Sequence, residues 1–373
     1  MRVAILTIVD NWENYGSILQ MLALKNWLEM SGNEVFFVAP PKRLDMVRRD
    51  IVNYIGDYKI DRNKRLYVLR RINKCIRVPL FIVKTLVRQT YNRIRYNSMF
   101  HRIEIEKVRD VDVVILGSDT LWDVTNRAFQ DSFYWGKEIF DYRVPIITYA
   151  VSADATEKLD IIKYPWIIEC IPHYRNISVR DKHTKAIIEP YYSKSIAIVC
   201  DPTLLCPETL SIKKINIKKN YLLIYAFELT QTEIDCIKHF AKEENLIIVC
   251  AMGLRKYGFA DINMDCGFDG FSEIVRQASY MYTSTFHGCM FSIIHNIKTM
   301  YKANSIKTKE LIEKFNLSYR VFYDEMLPSE FSKTMKHELN INMLDETKSS
   351  FCKQSRVYLE NILAEIKESK KDE

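Results

Sequence analysis

Short apolar runs alternate with stretches of helical periodicity along most of the chain. The runs are rich in β-branched residues and lie at 3–9, 34–40, 112–119, 145–153, 176–181, 195–202, 220–227, 245–251 and 279–285. Strands that alternate with helices favour a parallel sheet, because parallel neighbours need a crossover connection. The pattern therefore predicts an α/β protein.

One break divides this pattern into two series. Residues 206–220 are polar, basic and poorly periodic, which is typical of a linker. We predict a Rossmann-like domain at 1–205, with a basic helical insertion at about 42–109, and a second Rossmann-like domain at 221–325. A C-terminal helical segment follows at 326–373. Two such domains facing each other across a cleft would bind ligands at the carboxyl ends of their strands.

Positive charge is concentrated in one segment. The formal net charge of the 373 residues is +7, and residues 62–103 contain twelve Lys or Arg and no Asp or Glu. Apolar residues are interleaved with these cations, which fits either two amphipathic helices with basic polar faces or a surface for anionic lipid. Nucleic acid is not predicted as a partner, since no zinc-finger or RRM motif accompanies the charge.

The cysteines and the apolar runs bear on location. The nine cysteines form no C-x-x-C pair and no zinc spacing, which is typical of free thiols in a reducing compartment. No run reaches the roughly 18–20 apolar residues of a membrane helix, and the first strand is too short for a signal peptide. We expect a cytoplasmic protein without a metal site, held at the inner face of the membrane if the basic segment contacts lipid.

The first candidate site residues follow the first strand. Asn14, Gly16 and Ser17 lie between that strand and the first helix. A glycine at this turn lets the backbone approach a ligand, and Ser17 can cap the helix, whose free N–H groups attract anions. An ordinary tight turn explains the same residues, and no G-x-G-x-x-G fingerprint is present.

A second candidate group ends the run at 112–119. Ser118, Asp119 and Trp122 suit sugar binding, because a carboxylate can hold hydroxyls while an indole stacks on the ring. In the alternative interpretation, which the spacing supports equally, Asp119 is a helix N-cap and Trp122 belongs to the core.

Two cationic side chains also follow strands. Arg180 suits bidentate binding of a carboxylate or phosphate, although a surface pair with Asp181 is the alternative. The segment Ser284-Thr285-Phe286-His287-Gly288 ends a strand and opens a helix, with Thr285 as its cap and Gly288 leaving room for a ligand. A bound phosphate would favour protonation of His287, making it a proton donor. A purely structural histidine is the competing interpretation.

Taken together, these segments resemble the polysaccharide pyruvyl transferase family. The matching pieces occur in the family's order, at 14–35, 112–122, 147–153, 177–181, 201–205 and 284–297. Residues 304–322 resemble the region after the family's histidine motif. The chain has Thr-Phe-His at 285–287 where many members have Arg-Leu-His. The serine-rich segment with Ser152, expected to contact substrate, lacks the glycine often found there.

The resemblance implies a fold similar to the GT-B glycosyltransferases. It also implies an enzyme of surface polysaccharide biosynthesis, for an exopolysaccharide or capsule, that forms a pyruvate ketal from phosphoenolpyruvate without a cofactor. On this hypothesis Arg180 binds the donor's anionic groups, His287 contacts phosphate or acts as general acid, and Asp119 orients or deprotonates the acceptor hydroxyl. The backbone of 14–17 and Ser284 would line the cleft.

Two other functions stay open at this stage. A glycosyltransferase of the same fold would use a nucleotide sugar, but the second half offers only Gly253 and Gly258 without an acidic ribose motif. A non-catalytic relative would bind saccharide; the Thr-Phe-His variation favours it, and the retained His287, Arg180 and Asp119 count against it. Whether the acceptor sugar is linked to a lipid or to a nucleotide does not follow from the sequence.

Overall fold

The computed structural model describes residues 1–9, 14–41, 94–253 and 255–371, together with residues 83, 86, 87 and 90–92. Much of the predicted basic insertion, and with it most of the basic segment 62–103, lies outside the described residues.

The first half of the chain builds a seven-stranded sheet. Its strands are β1 Arg2–Leu6, β2 Glu34–Val38, β3 Arg102–Ile103, β4 Val113–Asp119, β5 Ile146–Val151, β6 Ile177–Val179 and β7 Ile196–Ile198. They pair in parallel in the order β3-β2-β1-β4-β5-β6-β7. Strands β4 and β5 are buried along their whole length, as expected for a parallel sheet covered on both faces.

The second half repeats this architecture with five strands. They are β8 Tyr221–Tyr225, β9 Ile247–Cys250, β10 Ile262–Asn263, β11 Tyr280–Thr283 and β12 Thr299–Tyr301, all parallel, in the order β10-β9-β8-β11-β12. The predicted α/β class with two Rossmann-like units is thereby confirmed. In each sheet the strand order reverses once, between β1 and β4 and between β8 and β11, and such switch points are where α/β sheets bind ligands.

Ten α-helices whose bounds are described accompany the sheets, in addition to the helical residues 83, 86, 87, 90–92 and 94–96. They are α1 Tyr15–Met30, α2 Lys158–Ile162, α3 Pro165–Cys170, α4 Lys182–Ile188, α5 Gln231–Glu243, α6 Gly267–Arg276, α7 Phe286–Ile294, α8 Ile306–Lys314, α9 Pro328–Lys336 and α10 Ile341–Ser369. None of them combines the length and the apolarity that crossing a bilayer requires.

Helix α1 is the central connection between the halves. It is buried on almost every side, because its apolar residues share one core cluster with β1 of the first sheet and with α6 and α7 of the second half. Its first turn therefore lies where the two units meet. Helix α10 makes a second connection, since Ser355 on this helix accepts a hydrogen bond from the backbone N–H of Cys200 at 2.8 Å.

Candidate active site

A cleft of about 230 Å³ opens between the carboxyl ends of the two sheets. Residues after β4, β5, β8 and β11 line it together with the first turns of three helices: Asn14, Asp119, Thr120, Asp154, Tyr225, Phe227, Ser284, Thr285, Phe286, His287, Ser305, Lys307 and Thr308. The switch points of both sheets thus contribute to one site.

Three helices begin at this cleft, each behind a polar cap. The Asn14 Oδ1 accepts from the N–H of Ser17 at 3.2 Å, and the Thr285 Oγ1 accepts from the N–H of Gly288 at 2.9 Å. Ser305 caps α8 in the same way. The free N–H groups and positive dipole ends of α1, α7 and α8 therefore converge, which favours an anion between them. The cap of α1 is Asn14, so the prediction that Ser17 caps this helix is wrong.

His287 lies in the first turn of α7 and is almost completely buried. Its Nε2 is 3.8 Å from Oδ2 of Asp201 and makes no hydrogen bond to the described residues. Burial lowers the pKa of His287, and the carboxylates of Asp201 and Asp119 oppose that shift. A bound anion would oppose it further, so protonation of His287 is coupled to ligand charge.

Arg180 is buried beneath the cleft. Its Nη1 donates to Oδ2 of Asp201 at 2.9 Å, and its guanidinium lies 4.0 Å from the ring centroid of Phe286, which lines the cleft. Its Nε and Nη2 find no hydrogen-bond partner in the described part of the chain. The alternative of a surface pair with Asp181 is wrong, because Asp181 caps α4 and accepts from the buried Ser152 hydroxyl at 2.6 Å.

Asp119 ends β4 with a φ of 81° and lines the cleft from below. Its Oδ1 accepts from the N–H of Thr120 at 2.8 Å, but no helix follows, so the helix-cap alternative is wrong. Burial alone would raise the pKa of Asp119, yet His287, Arg180 and Lys307 together hold it below its usual value. The carboxylate is therefore ionised at neutral pH.

Three charged residues of the site were not predicted. Asp201 lies after β7 and joins Arg180 to His287. Lys307, in the first turn of α8, reaches across the cleft to Asp154, whose Oδ2 is 2.8 Å from its Nζ. Their positions in the sequence could have indicated two of them as site residues, because Asp201 is the first residue of the matched segment 201–205 and Asp154 follows a strand.

Trp122 is not available to a sugar. The indole is completely buried. Its ring centroid lies 4.7 Å from that of Trp135, on which it stacks, and 5.7 Å from that of Tyr174. The prediction that a sugar stacks on Trp122 is therefore wrong, because the chain after β4 turns back into the core. Ser118 and Ser152 are also fully buried and do not line the cleft.

The two glycines of the predicted site, Gly16 and Gly288, allow close packing against neighbouring side chains of the protein. A Cβ on Gly16 would lie 2.1 Å from Cγ of His287, and one on Gly288 would lie 2.0 Å from Oγ1 of Thr283. The prediction that Gly288 leaves room for a ligand is wrong, since the space is filled by Thr283. Ser17 is buried, whereas Asn14, Ser284 and Thr285 do line the cleft. Among the described residues, no group of three His, Cys, Asp or Glu could hold a metal ion.

Comparisons with known proteins give the fold and the family. A UDP-GlcNAc 2-epimerase from Neisseria meningitidis, bound to UDP-GlcNAc, superposes with a TM-score of 0.54 at 9% identity, covering 98% of this chain and 100% of that one. The UDP-N-acetylglucosamine 2-epimerase from Rickettsia bellii gives 0.53 at 9% identity, with 98% and 96% covered. UGT73P12 from Glycyrrhiza uralensis, complexed with glycyrrhetinic acid 3-O-monoglucuronide, gives 0.50 at 9% identity, with 100% and 96% covered.

At such identities these likenesses show the fold alone, and that fold is the predicted GT-B type. A search of curated proteins finds no match. The family model for polysaccharide pyruvyl transferase matches residues 14–305. This match covers most of the chain and includes Asp119, Arg180, Asp201 and His287, so the chain belongs to the polysaccharide pyruvyl transferase family.

Proposed function

We propose that this protein transfers a pyruvyl group from phosphoenolpyruvate to the hydroxyls of a sugar and closes a pyruvate ketal. The observation that supports this most is the convergence of three helix N-termini with His287 and Lys307 on one cleft, above the incompletely paired Arg180. Such a site suits a ligand with several negative charges, and phosphoenolpyruvate carries both a phosphate and a carboxylate.

Lys307 is the cation best placed to meet that donor. The family's usual arginine is replaced by Thr285, whose hydroxyl caps α7. Lys307 lines the same cleft from α8 and is held by Asp154, a single carboxylate from the other half. An arriving phosphate would compete with Asp154 for the ammonium group. We therefore assign Lys307 to the donor's phosphate or carboxylate, beside the N–H groups of α7 and α8.

The chemistry follows from the donor. His287 donates a proton to the methylene carbon, which leaves an oxocarbenium-like centre at the neighbouring carbon. A sugar hydroxyl attacks that centre and releases its proton. Phosphate then leaves with its bonding electrons, and a second hydroxyl closes the ketal as its proton returns to His287. The bound anion promotes the first step, because it raises the pKa of the buried His287.

In this proposal Asp119 acts on the hydroxyl of the acceptor sugar. Because its pKa is held below the usual value by the neighbouring cations, its carboxylate is a weak base. It orients the attacking hydroxyl and takes the proton only as the new C–O bond forms. The acceptor is a lipid-linked or nucleotide-linked sugar of a surface polysaccharide, and these steps use no cofactor or metal.

Thermal unfolding with candidate ligands tests the donor. Phosphoenolpyruvate should raise the melting temperature saturably, because a ligand at a hundredfold excess over its Kd stabilises the folded state by about 2.7 kcal/mol. Lys307→Met should weaken this effect strongly. Lys309→Met is the matched control, because it removes the same charge from an exposed position of the same helix.

Two further measurements complete the test. Phosphate release from phosphoenolpyruvate in the presence of acceptor sugars reports turnover, and His287→Gln should abolish it. Stabilisation by a nucleotide sugar, with none by phosphoenolpyruvate and no phosphate release, would contradict the proposal and favour a glycosyltransferase. Inorganic salt at matched ionic strength controls for screening of charge.

A further inference from the structure

Phe227 places an exposed aromatic ring in the wall of the cleft. It lines the cleft together with the rings of Tyr225 and Phe286. Tyr225 is 4% exposed and Phe286 is 6% exposed, whereas Phe227 is 53% exposed. Single exposed apolar residues are common on protein surfaces. An aromatic ring that stays exposed inside a cleft is different, because ligand sites are lined by side chains of this kind.

The backbone holds Phe227 at this position. The apolar run 220–227 predicts a strand that includes Phe227, but β8 ends at Tyr225 and Phe227 lies in the loop that leads to α5. Its N–H donates to Oγ of Ser284 at 3.2 Å, and its carbonyl accepts from the Tyr257 hydroxyl at 2.6 Å. The residue is thus positioned before a ligand arrives, which lowers the entropy cost of binding.

One cation accompanies the ring without covering it. The guanidinium of Arg255 lies over the ring of Phe227, 5.8 Å from its centroid, within the range of a cation–π contact. Arg255 is itself exposed. Because Phe227 remains more than half exposed with Arg255 in place, the ring keeps surface for a ligand.

The wall that the first half contributes to the cleft is polar. Asn14, Asp119, Thr120 and Asp154 line it. Oδ1 of Asp154 is buried and has no hydrogen-bond partner among the described residues. A pyranose carries hydroxyls around its edge and C–H groups on its faces. It can therefore give its hydroxyls to the carboxylates of one wall and lay a face on the aromatic ring of the other.

We propose that the pyranose ring of the acceptor sugar stacks on Phe227, with hydroxyls directed to Asp119 and Asp154. The C–H groups of the sugar face carry partial positive charge and meet the negative face of the aromatic ring. Ser284, which holds Phe227, directly precedes Thr285, the cap of α7. The stacked sugar therefore lies beside the helix turn that carries His287. That this sugar accepts a pyruvyl group rests on the proposed function, whereas its binding to Phe227 does not.

Saturation-transfer NMR of the full chain tests this contact, with methyl β-galactoside, methyl β-glucoside and methyl N-acetyl-β-glucosaminide as probes. The wild type should transfer saturation to the ring C–H protons of at least one probe. Phe227→Ala should bind that probe about tenfold more weakly, and Phe227→Tyr, which keeps the ring face, should bind it like the wild type. Tyr323→Ala is the matched control, because Tyr323 is an aromatic residue that is 47% exposed outside the cleft.

Three results would overturn the proposal. The first is the absence of saturation transfer to all three probes. The second is equal affinity in the wild type and Phe227→Ala, or an equal loss of affinity in Tyr323→Ala. The third is binding of uridine monophosphate that depends on Phe227 while no sugar binds, because the ring would then stack on a base.

Kinetics separate this proposal from the proposed function. With phosphoenolpyruvate as donor, Phe227→Ala should raise KM for the sugar and leave KM for phosphoenolpyruvate unchanged. Phosphate release with the same KM for the sugar in both proteins would overturn the contact at Phe227 and leave the donor assignment intact. Sugar binding that depends on Phe227, without any turnover of phosphoenolpyruvate by the wild type, would support the contact and contradict the proposed donor.

Discussion

The carboxylate of Asp201 lies between Arg180 and His287 and is completely buried. Its Oδ1 accepts from the N–H and the hydroxyl of Thr203, at 3.0 and 2.7 Å, while Oδ2 accepts from Arg180. A buried charge persists only when it is paired and hydrogen-bonded in this way. Asp201 therefore positions Arg180 and is the strongest of the groups that raise the pKa of His287 against burial.

Asp201→Asn should change the pH dependence of the reaction. The variant keeps the size of the side chain but removes the charge that raises the pKa of His287, so this pKa falls further. If His287 must be protonated, activity is lost as pH rises through that pKa. The alkaline limb of the pH–activity profile therefore moves to lower pH in the variant. The profile of kcat/KM against pH measures the shift. An unmoved limb would contradict the assignment, and Asp261→Asn, at a distant carboxylate, is the control.

At the scale of elements, α1 and α7 meet through a glycine and an imidazole. Gly16 lies in the first turn of α1, and its missing Cβ makes space for the His287 ring. This contact holds the ring between the two halves and fixes its direction. Replacing His287 by alanine should therefore cost stability as well as activity, because it empties a packed position. His287→Gln is therefore the better variant for activity.

A double-mutant cycle should reveal this contact. Gly16→Ala forces its new methyl group into the imidazole and should lower the free energy of unfolding by about 1–3 kcal/mol. In the His287→Gly background, which also removes the Cβ that would lie 2.4 Å from the added methyl group, these contacts are absent, so the same substitution should cost much less. Urea unfolding of the four proteins measures the coupling. Gly258→Ala, where nothing lies within 4 Å of the added Cβ, should be nearly neutral, and equal costs in both backgrounds would contradict the packing.

At the scale of the whole molecule, α10 connects the end of the chain to the first sheet. The helix follows the second sheet in sequence but bonds to the first half, through Ser355 and Cys200, through Ser369 and Arg175 at 3.0 Å, and through Lys370 at its end. The loop that receives Ser355 follows β7 and contains Cys200, the residue before Asp201. The C-terminal helix thus supports the segment that positions the site.

Ser355→Ala should destabilise the protein from a distance. It leaves the N–H of Cys200 buried without its acceptor, which should cost about 1–3 kcal/mol in the free energy of unfolding. Because Asp201 follows directly, the activity of the folded variant should also fall. Urea unfolding and phosphate release give the two values. Ser349→Ala, at an exposed position of the same helix, is the control, and equal stabilities of the two variants would contradict the supporting role.

The sequence by itself determined the class of fold and the edge of the sheets that carries the site. Alternating apolar runs and helical stretches specify parallel sheets, because strand and helix have different periods. Polar residues directly after strands must then gather at one edge, so Asp119, Ser284 and His287 could be predicted as neighbours. The type of each element and the position of a residue at the end of a strand are local properties, so the pattern of apolar and polar residues predicts them.

The tertiary structure alone decided which of those residues reach the cleft and what each contacts. Trp122 turned into the core, Arg180 paired with Asp201, and Lys307 met Asp154 from the opposite half. Each outcome depends on how two sheets pack around α1, which brings together residues far apart in the chain. Periodicity specifies the face of an element but not the partner of that face, so these contacts could not be predicted from the pattern.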